Sequence, residues 1–348
     1  MNNNGPHPGK RVVVTGATGN VGTSVVRALA ADPGISSVLG LARRRPGLQI
    51  PKVEWDTADL SRTDSKDRLI GLLRGADAVV HLAWRFQPTH DPVVTWQSNV
   101  LGSRRVFEAV ARSGVPALVH ASSVGAYSPG PKDEPGVDEE WPTDGWPDAA
   151  YCREKAYLER VLDTFELRHP QIRVVRMRPG FLFKETAAPE QRRIFAGRYA
   201  PGPLLRPDLL PFVPDLDGLR FQVLHSDDAA DAYRLAVLGD AHGPFNLAAD
   251  PVIDARRLAD LLDARIVRIP RALVRTGLSA AWRARTVPAS PHLFDAVLRM
   301  PVLDSGRARD VLGWQPTRTA EDALNAFLRG VREGTGEDTA PLAGRKIG

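Results

Sequence analysis

The sequence predicts an α/β protein built on a doubly wound parallel sheet, with a smaller C-terminal lobe. Two observations carry that prediction. Short β-branched or apolar runs at Arg11–Thr15, Val38–Ala42, Ala78–Ala83, Ala117–Ser122 and Ile172–Arg178 alternate with helical stretches, the βαβ rhythm of a sheet buried on both faces. A glycine-rich turn joins the first of these runs to the first helical stretch. At 348 residues the chain exceeds an average domain but fits one α/β body with an elaborated C-terminal part.

Residues 1–9 are polar and contain Pro and Gly, and are expected to form a loose tail. Directly after the first strand comes Thr15-Gly16-Ala17-Thr18-Gly19-Asn20-Val21-Gly22, followed by the helical Thr23–Ala31. The glycines allow a tight turn, close approach of backbone to a pyrophosphate, and close packing of helix on strand. The helix N-terminus offers unpaired N–H groups to phosphate oxygens. A glycine turn alone is weak; between strand and helix it marks residues 10–180 as a Rossmann-type, dinucleotide-binding domain.

About 20 residues beyond the last glycine, a fold that prefers NAD places an acid at the end of the second strand to hold the ribose 2′-hydroxyl. Here the chain reads Leu41-Ala42-Arg43-Arg44-Arg45. A guanidinium there suits a 2′-phosphate, so NADP is favoured, with NAD as the alternative and a merely solvated arginine loop as the plainer reading. Asp59 and Leu60, after the presumed third strand, are placed to flank the adenine.

After Gly180 the rhythm breaks. Pro189, Pro201, Pro203, Pro207, Pro211 and Pro214 crowd a stretch that cannot sustain long helices, so 181–220 is read as a substrate-covering insertion. A strand at Phe221–His225, running into the helix Asp227–Leu238, is expected to return 221–250 to the first domain. Residues 181–220 and 251–334, with a helix at Thr319–Glu333, then make the substrate-binding lobe, and 335–348 a second loose tail.

Composition narrows the classes. The 43% hydrophobic and 25% charged residues are ordinary for a globular protein, and no run approaches the roughly 18 apolar residues of a membrane span. The net charge of +5 comes from arginines interspersed with acids, so no nucleic-acid partner is expected. The single Cys152 precludes an internal disulfide and reads as a small packing residue; with no signal-peptide pattern at the start, a cytoplasmic location is expected.

Tyr151-Cys152-Arg153-Glu154-Lys155 opens a predicted helix, which puts Tyr151 and Lys155 on one face. A phenol of ordinary pKa is a poor base at neutral pH, and a nearby ammonium would stabilise its ionised form. Such a pair also occurs by chance on helical surfaces; the glycine loop upstream is what gives it weight.

Together these motifs resemble the short-chain dehydrogenase/reductase superfamily and, within it, the extended branch known as the NAD-dependent epimerase/dehydratase family. The resemblance covers nearly the whole chain: the Gly16–Gly22 loop, His81-Leu82-Ala83, Asn99-Val100-Leu101-Gly102-Ser103, Ser122-Ser123 ahead of Tyr127, Tyr151 with Lys155, Arg178-Pro179-Gly180, His225-Ser226-Asp227, and Leu312-Gly313-Trp314-Gln315-Pro316. It implies that Tyr151 is the acid/base, that Lys155 holds the nicotinamide ribose and lowers the tyrosine pKa, and that Ser123 hydrogen-bonds the substrate oxygen. It also puts Leu82, Ala83, Asn99 and Pro179 on the cofactor side, although an N-cap role serves Asn99 equally well. His81 and His225 are read as structural strand-end residues, and no metal is expected.

Departures from the family pattern bear on the reaction. Dehydratases of the family carry an Asp-Glu pair just after the hydroxyl residue; here stand Val124-Gly125, neither able to transfer a proton. Epimerases tend to carry an Asn soon after the strand that here ends in Arg178, and an Arg before the His-x-Asp segment; here Pro179-Gly180-Phe181 follows and Arg220 is displaced by about one position. Trp84, Phe86, Phe181, Phe183, Phe195 and Phe212 are candidates for an apolar substrate pocket, with Trp84, Phe181 and Arg220 the residues assigned to substrate. Arg192, Arg193, Arg198 and Arg206 are a solvated lid or anion contacts. The expected function is NADP-dependent hydride transfer on a small-molecule carbonyl/alcohol pair. The alternatives are an epimerase that retains NAD and a catalytically silent cofactor sensor. By resemblance, a homodimer would form through helices near Asn99–Ser113 and Tyr151–Leu167.

Overall fold

The computed structural model describes residues 9–195 and 211–344. The first half alternates as expected: β1 (Lys10–Thr15), α1 (Asn20–Ala31), β2 (Ile35–Ala42), β3 (Val53–Thr57), α2 (Lys66–Leu73), β4 (Ala78–His81), α3 (Pro92–Trp96), α4 (Gly102–Ser113), β5 (Ala117–Ala121), α5 (Ala150–Arg168) and β6 (Arg173–Pro179). There follow β7 (Phe181–Phe183), α6 (Ala188–Phe195), β8 (Phe212–Asp215), β9 (Arg220–His225), α7 (Ser226–Leu238), β10 (Gly243–Leu247), β11 (Ala249–Asp254) and α8 (Ala255–Leu262). The chain closes with β12 (Arg265–Arg268), α9 (Arg271–Arg283), α10 (Pro291–Val297), α11 (Gly306–Leu312) and α12 (Ala320–Glu333).

The central sheet runs β10-β6-β5-β4-β1-β2-β3 and every pairing in it is parallel. Its strands are apolar on both faces because both are covered. One face packs α1 and α7 against Val12, Val14, Val80, Val119 and Val175, with Trp314 sealed beneath them. The other packs α2, α4 and α5 through Leu69, Phe107, Val110, Leu158 and Leu162. The Trp314 indole N–H donates to the Asp228 carbonyl at 2.8 Å, so the late Leu-Gly-Trp motif is a core anchor. Strand order reverses between β1 and β4, and the crevice opened at such a switch point is where α/β sheets bind ligands.

Phe221–His225 is a strand, but not of the central sheet. β9 pairs with β7 and β11 in a separate three-stranded sheet under α12, while α7 and β10 are the elements that return to the first domain. Thr319 caps α12 rather than opening it: its hydroxyl accepts from the Asp322 N–H and the Asp322 carboxylate accepts back from the Thr319 N–H, a reciprocal cap that satisfies two end groups. No helix among the described residues is long and apolar enough to cross a membrane.

The loose tail expected at 335–348 is corrected over 335–344. Leu342 is fully buried and Thr339 nearly so. The Thr339 hydroxyl donates to the Thr18 carbonyl at 3.0 Å, and the Gly47 N–H donates to the Asp338 carbonyl at 3.2 Å. Arg193 donates to the Pro341 carbonyl. One buried leucine, the Thr339 hydroxyl, backbone groups and the Glu337 carboxylate, which faces Arg27 and Lys184 at 3.7 Å each, hold this strap, so no apolar period betrays it in the sequence. Residues 1–8 and 345–348 of the two expected tails lie outside the described residues.

Candidate active site

The glycine turn is built by close contacts. Gly16 has φ +70, and a Cβ there would sit 2.6 Å from the Ala83 backbone; a Cβ on Gly22 would sit 2.1 Å from the Gly16 carbonyl oxygen. Gly19, which precedes α1, meets nothing nearer than 3.6 Å. The turn is therefore pinned at both ends, and in the middle the first N–H groups of α1 lack intrahelical partners, that of Asn20 donating instead to the Glu190 carboxylate. That arrangement fits a pyrophosphate. Asn20 faces the other way: its side chain donates to the Leu182 carbonyl at 3.0 Å and accepts from the Ser226 hydroxyl at 2.7 Å, tying the turn to the second lobe.

From this turn a cavity of about 760 Å³ extends across the sheet's C-terminal edge. Thr18, Val21, Arg43, Arg44, Asp59, Leu60, Leu82, Ala83, Asn99 and Pro179, all assigned to the cofactor side, line it. Arg43 and Arg44 are exposed and form no ion pair among the described residues. Burial opposes ionisation of Asp59, but hydrogen bonds from the Ser61 hydroxyl and N–H, then the Arg43 charge, hold its carboxyl below the usual range. Arg43 thus faces into the cavity mouth and not only into solvent.

At the other end the expected catalytic group is assembled. The Tyr151 hydroxyl donates to Ser123 Oγ at 2.8 Å, and the Gly125 N–H donates to the same oxygen at 3.0 Å. The Tyr151 ring packs on Phe86 at 4.9 Å between centroids and edge-on to Trp84 at 5.7 Å. Lys155 Nζ donates to the Ala121 carbonyl at 2.7 Å and lies 3.6 Å from the Trp84 ring centre. Burial pushes the Tyr151 hydroxyl well above its ordinary pKa, opposed by its hydrogen bond to Ser123, and Lys155 Nζ lies 6.0 Å from the centre of the Tyr151 ring. Burial also brings Lys155 down to about 7, so its charge is poised near neutrality.

Gly125 makes room for the tyrosine. A Cβ there would lie 2.7 Å from Tyr151 Cε1. Position 125, acidic in the family's dehydratases by the pattern above, is here the floor under the Tyr151 ring.

Some expected residues fall elsewhere. Arg220 points away from the cavity and pairs with Asp133 at 3.3 Å on the surface; its displacement by about one position in the sequence turns it to the outer side. Phe212 is 45% exposed on the outer two-stranded sheet. Asn99 is no N-cap: it lies inside a π-helical turn, Gln97–Leu101, between α3 and α4. Phe181 and Phe183 line the cavity, and Arg193 does so while bound to the strap. The Phe195 side chain, Arg198 and Arg206 lie outside the described residues. His81 bridges Thr15 at 2.6 Å and Ser103 at 2.8 Å, and His225 Nδ1 accepts from the Asp227 N–H at 3.2 Å; both are structural. The Cys152 thiol is buried and pushed up to about 12. Among the described residues no cluster could hold a metal ion.

The sequence reading missed Leu293, Val297 and Met300, which α10 and the turn after it bring to the cavity wall, and Ala340 and Pro341 of the strap. Leu293 and Val297 lie on a short helix whose apolar face reads like any core helix, Met300 in the turn that follows it, and the last two in a polar stretch.

Open backbone at the switch point of a parallel sheet places this chain, by fold, in the Rossmann-type dinucleotide-binding class. Residues 12–248 match the model of the NAD dependent epimerase/dehydratase family, and the chain belongs to that family. It is 30% identical over 351 residues to the dTDP-6-deoxy-L-talose 4-dehydrogenase (NAD(P)(+)) of Kitasatospora kifunensis, covering 96% of this chain and 97% of that one. It is also 26% identical over 340 residues to an uncharacterized protein of Mycobacterium tuberculosis, with 96% of this chain but 32% of the relative covered, so it spans about a third of that relative's length. Among solved structures, the UDP-glucose 4-epimerase of Thermus thermophilus in complex with NAD superposes with a TM-score of 0.68 at 21% identity, over 92% of this chain and 99% of the other. The dTDP-glucose 4,6-dehydratase of Streptomyces venezuelae with NAD bound gives 0.68 at 21%, over 93% and 97%. Both are similar in fold.

Proposed function

We propose that this chain is an NADP-dependent oxidoreductase acting on a small-molecule carbonyl/alcohol pair, with Tyr151 as the acid/base. The observation that carries the reading is the half-buried Tyr151–Ser123 hydrogen bond in the cavity that begins at the glycine turn. When bound, the dinucleotide supplies or accepts the hydride. The substrate oxygen would accept hydrogen bonds from both the Ser123 and Tyr151 hydroxyls, and Tyr151 would give its proton directly to that oxygen in reduction or take it back in oxidation. Lys155, beside the Trp84 ring, would hold the nicotinamide ribose. The apolar Phe181, Leu293, Val297 and Met300 lining the substrate end favour a weakly polar substrate. Val124 and Gly125, with the Tyr151 ring packed on the latter, argue against a dehydratase.

Arg43 and Arg44 support NADP. The cofactor-stripped protein, titrated calorimetrically with NADP and NAD, is expected to bind NADP at least about tenfold tighter. Arg43→Ala is expected to erase most of that preference, because a guanidinium–phosphate pair is lost while the glycine turn is untouched. Equal binding of the two dinucleotides would overturn the assignment to NADP.

A second reading is an epimerase that keeps NAD bound, and the strap favours it. Thr339 anchors to the glycine turn, and Ala340 and Pro341 form part of the cavity wall, an arrangement that hinders cofactor exchange. NAD that co-purifies and leaves only on denaturation would select it.

We also propose a homodimer through α4 and α5, whose outer faces border a groove of about 720 Å³ lined by Leu101, Phe107, Tyr157 and Val161. Light scattering is expected to give twice the chain mass; a monomer at micromolar concentration would refute it.

A further inference from the structure

Glu154 stands between the two reacting side chains in sequence, yet it is 1% exposed. Its Oε1 accepts from the Thr95 hydroxyl at 2.6 Å and its Oε2 from the Asn99 side-chain amide at 2.7 Å. Asn99 in turn grips one peptide unit of the cavity wall: its Nδ2 donates to the Arg85 carbonyl at 2.9 Å and its Oδ1 accepts from the Arg85 N–H at 2.7 Å. The neighbours of Arg85 are Trp84, on which Lys155 sits, and Phe86, on which Tyr151 packs. A chain of buried hydrogen bonds therefore runs from α5 through α4's preceding turn to the two rings that flank the reacting groups.

We propose that Glu154 is a positioning residue: through Asn99 it fixes the Trp84–Phe86 wall against Tyr151 and Lys155. The inference rests on the reading of Tyr151 and Lys155 as the reacting pair.

In Glu154→Ala the clamp is lost, and acrylamide quenching of Trp84, taken as the difference from the same variant carrying Trp84→Phe, is expected to rise. Glu154→Gln is expected to restore the wild-type quenching, since a glutamine can accept from Asn99 and donate to Thr95, whose hydroxyl then donates to the Pro92 carbonyl, 3.1 Å away. Unchanged quenching in the alanine variant, or equal quenching in the two variants, overturns the clamp. The readout uses the full ligand-free chain and is independent of turnover, so failure of the acid/base reading of Tyr151 and failure of this inference remain distinct results.

Discussion

Tyr151→Phe is expected to lower turnover by a factor of about 10²–10⁴ while leaving cofactor binding and stability nearly unchanged. The phenylalanine ring keeps its packing on Phe86 and Trp84 and its seat on Gly125; only the hydroxyl that donates to Ser123 is removed. Ser123 still accepts from the Gly125 N–H, so no buried acceptor is orphaned, which is the usual source of a stability loss. Reduction of a panel of carbonyl compounds with NADPH, read beside calorimetric NADP binding, checks it. Turnover within tenfold of the wild type would remove Tyr151 from the acid/base role and return the serine, or a solvent path, as the proton source.

The second large effect falls on stability. Glu159→Ala is expected to destabilise the fold by about 3–5 kcal/mol, the cost of leaving a buried cation without its partner. Glu159 accepts from Arg178 at 2.9 and 3.1 Å, from Arg176 at 3.1 Å and from the Ser122 hydroxyl at 2.5 Å. Arg176 keeps Asp163 and Glu166 in the variant, whereas Arg178 keeps only the neutral Tyr127 hydroxyl and Glu139 carbonyl, so the penalty sits on Arg178. Denaturant unfolding measures it, and a loss below about 1 kcal/mol would mean that this network behaves like a surface ion pair. The pH dependence has a definite sign. Burial opposes ionisation of Glu159, but Arg178 and then Arg176 prevail and hold its carboxyl at about 2, against an ordinary 4.5. Its stabilisation is therefore complete above about 4.5 and is lost as pH falls toward 2. Over that window the wild type should lose on the order of 3 kcal/mol that the alanine variant never had.

The strands of the first domain were legible because a doubly covered sheet demands unbroken apolar runs, as in Val12–Val14 and Val79–Val80. The glycine turn was legible because its contacts admit no Cβ at Gly16 or Gly22. The Ser123, Tyr151 and Lys155 group could be read because helical spacing and motif order survive in one dimension. What stayed hidden depends on partners distant in sequence. An alternating run announces a strand at Phe221–His225 but not which sheet it joins, and β9 went to the smaller one. Glu154 reads as one more charge on a helix until Asn99, 55 residues upstream, is brought against it. The strap depends on one buried leucine and on polar contacts with residues far upstream, and Arg220 on which side of β9 it takes.

The contact between Gly125 and Tyr151 also constrains how the family's chemistries can interconvert. An acidic side chain at position 125 would bring a Cβ to 2.7 Å from the tyrosine ring, displacing the ring that carries the proposed acid/base hydroxyl. On the proposed chemistry, a lineage moving from this site toward elimination cannot acquire the acid first and adjust later, since that first step would disturb the tyrosine already there. The tyrosine helix must shift and the acid arrive together, and the missing side chain at 125 acts as an evolutionary ratchet between reaction types.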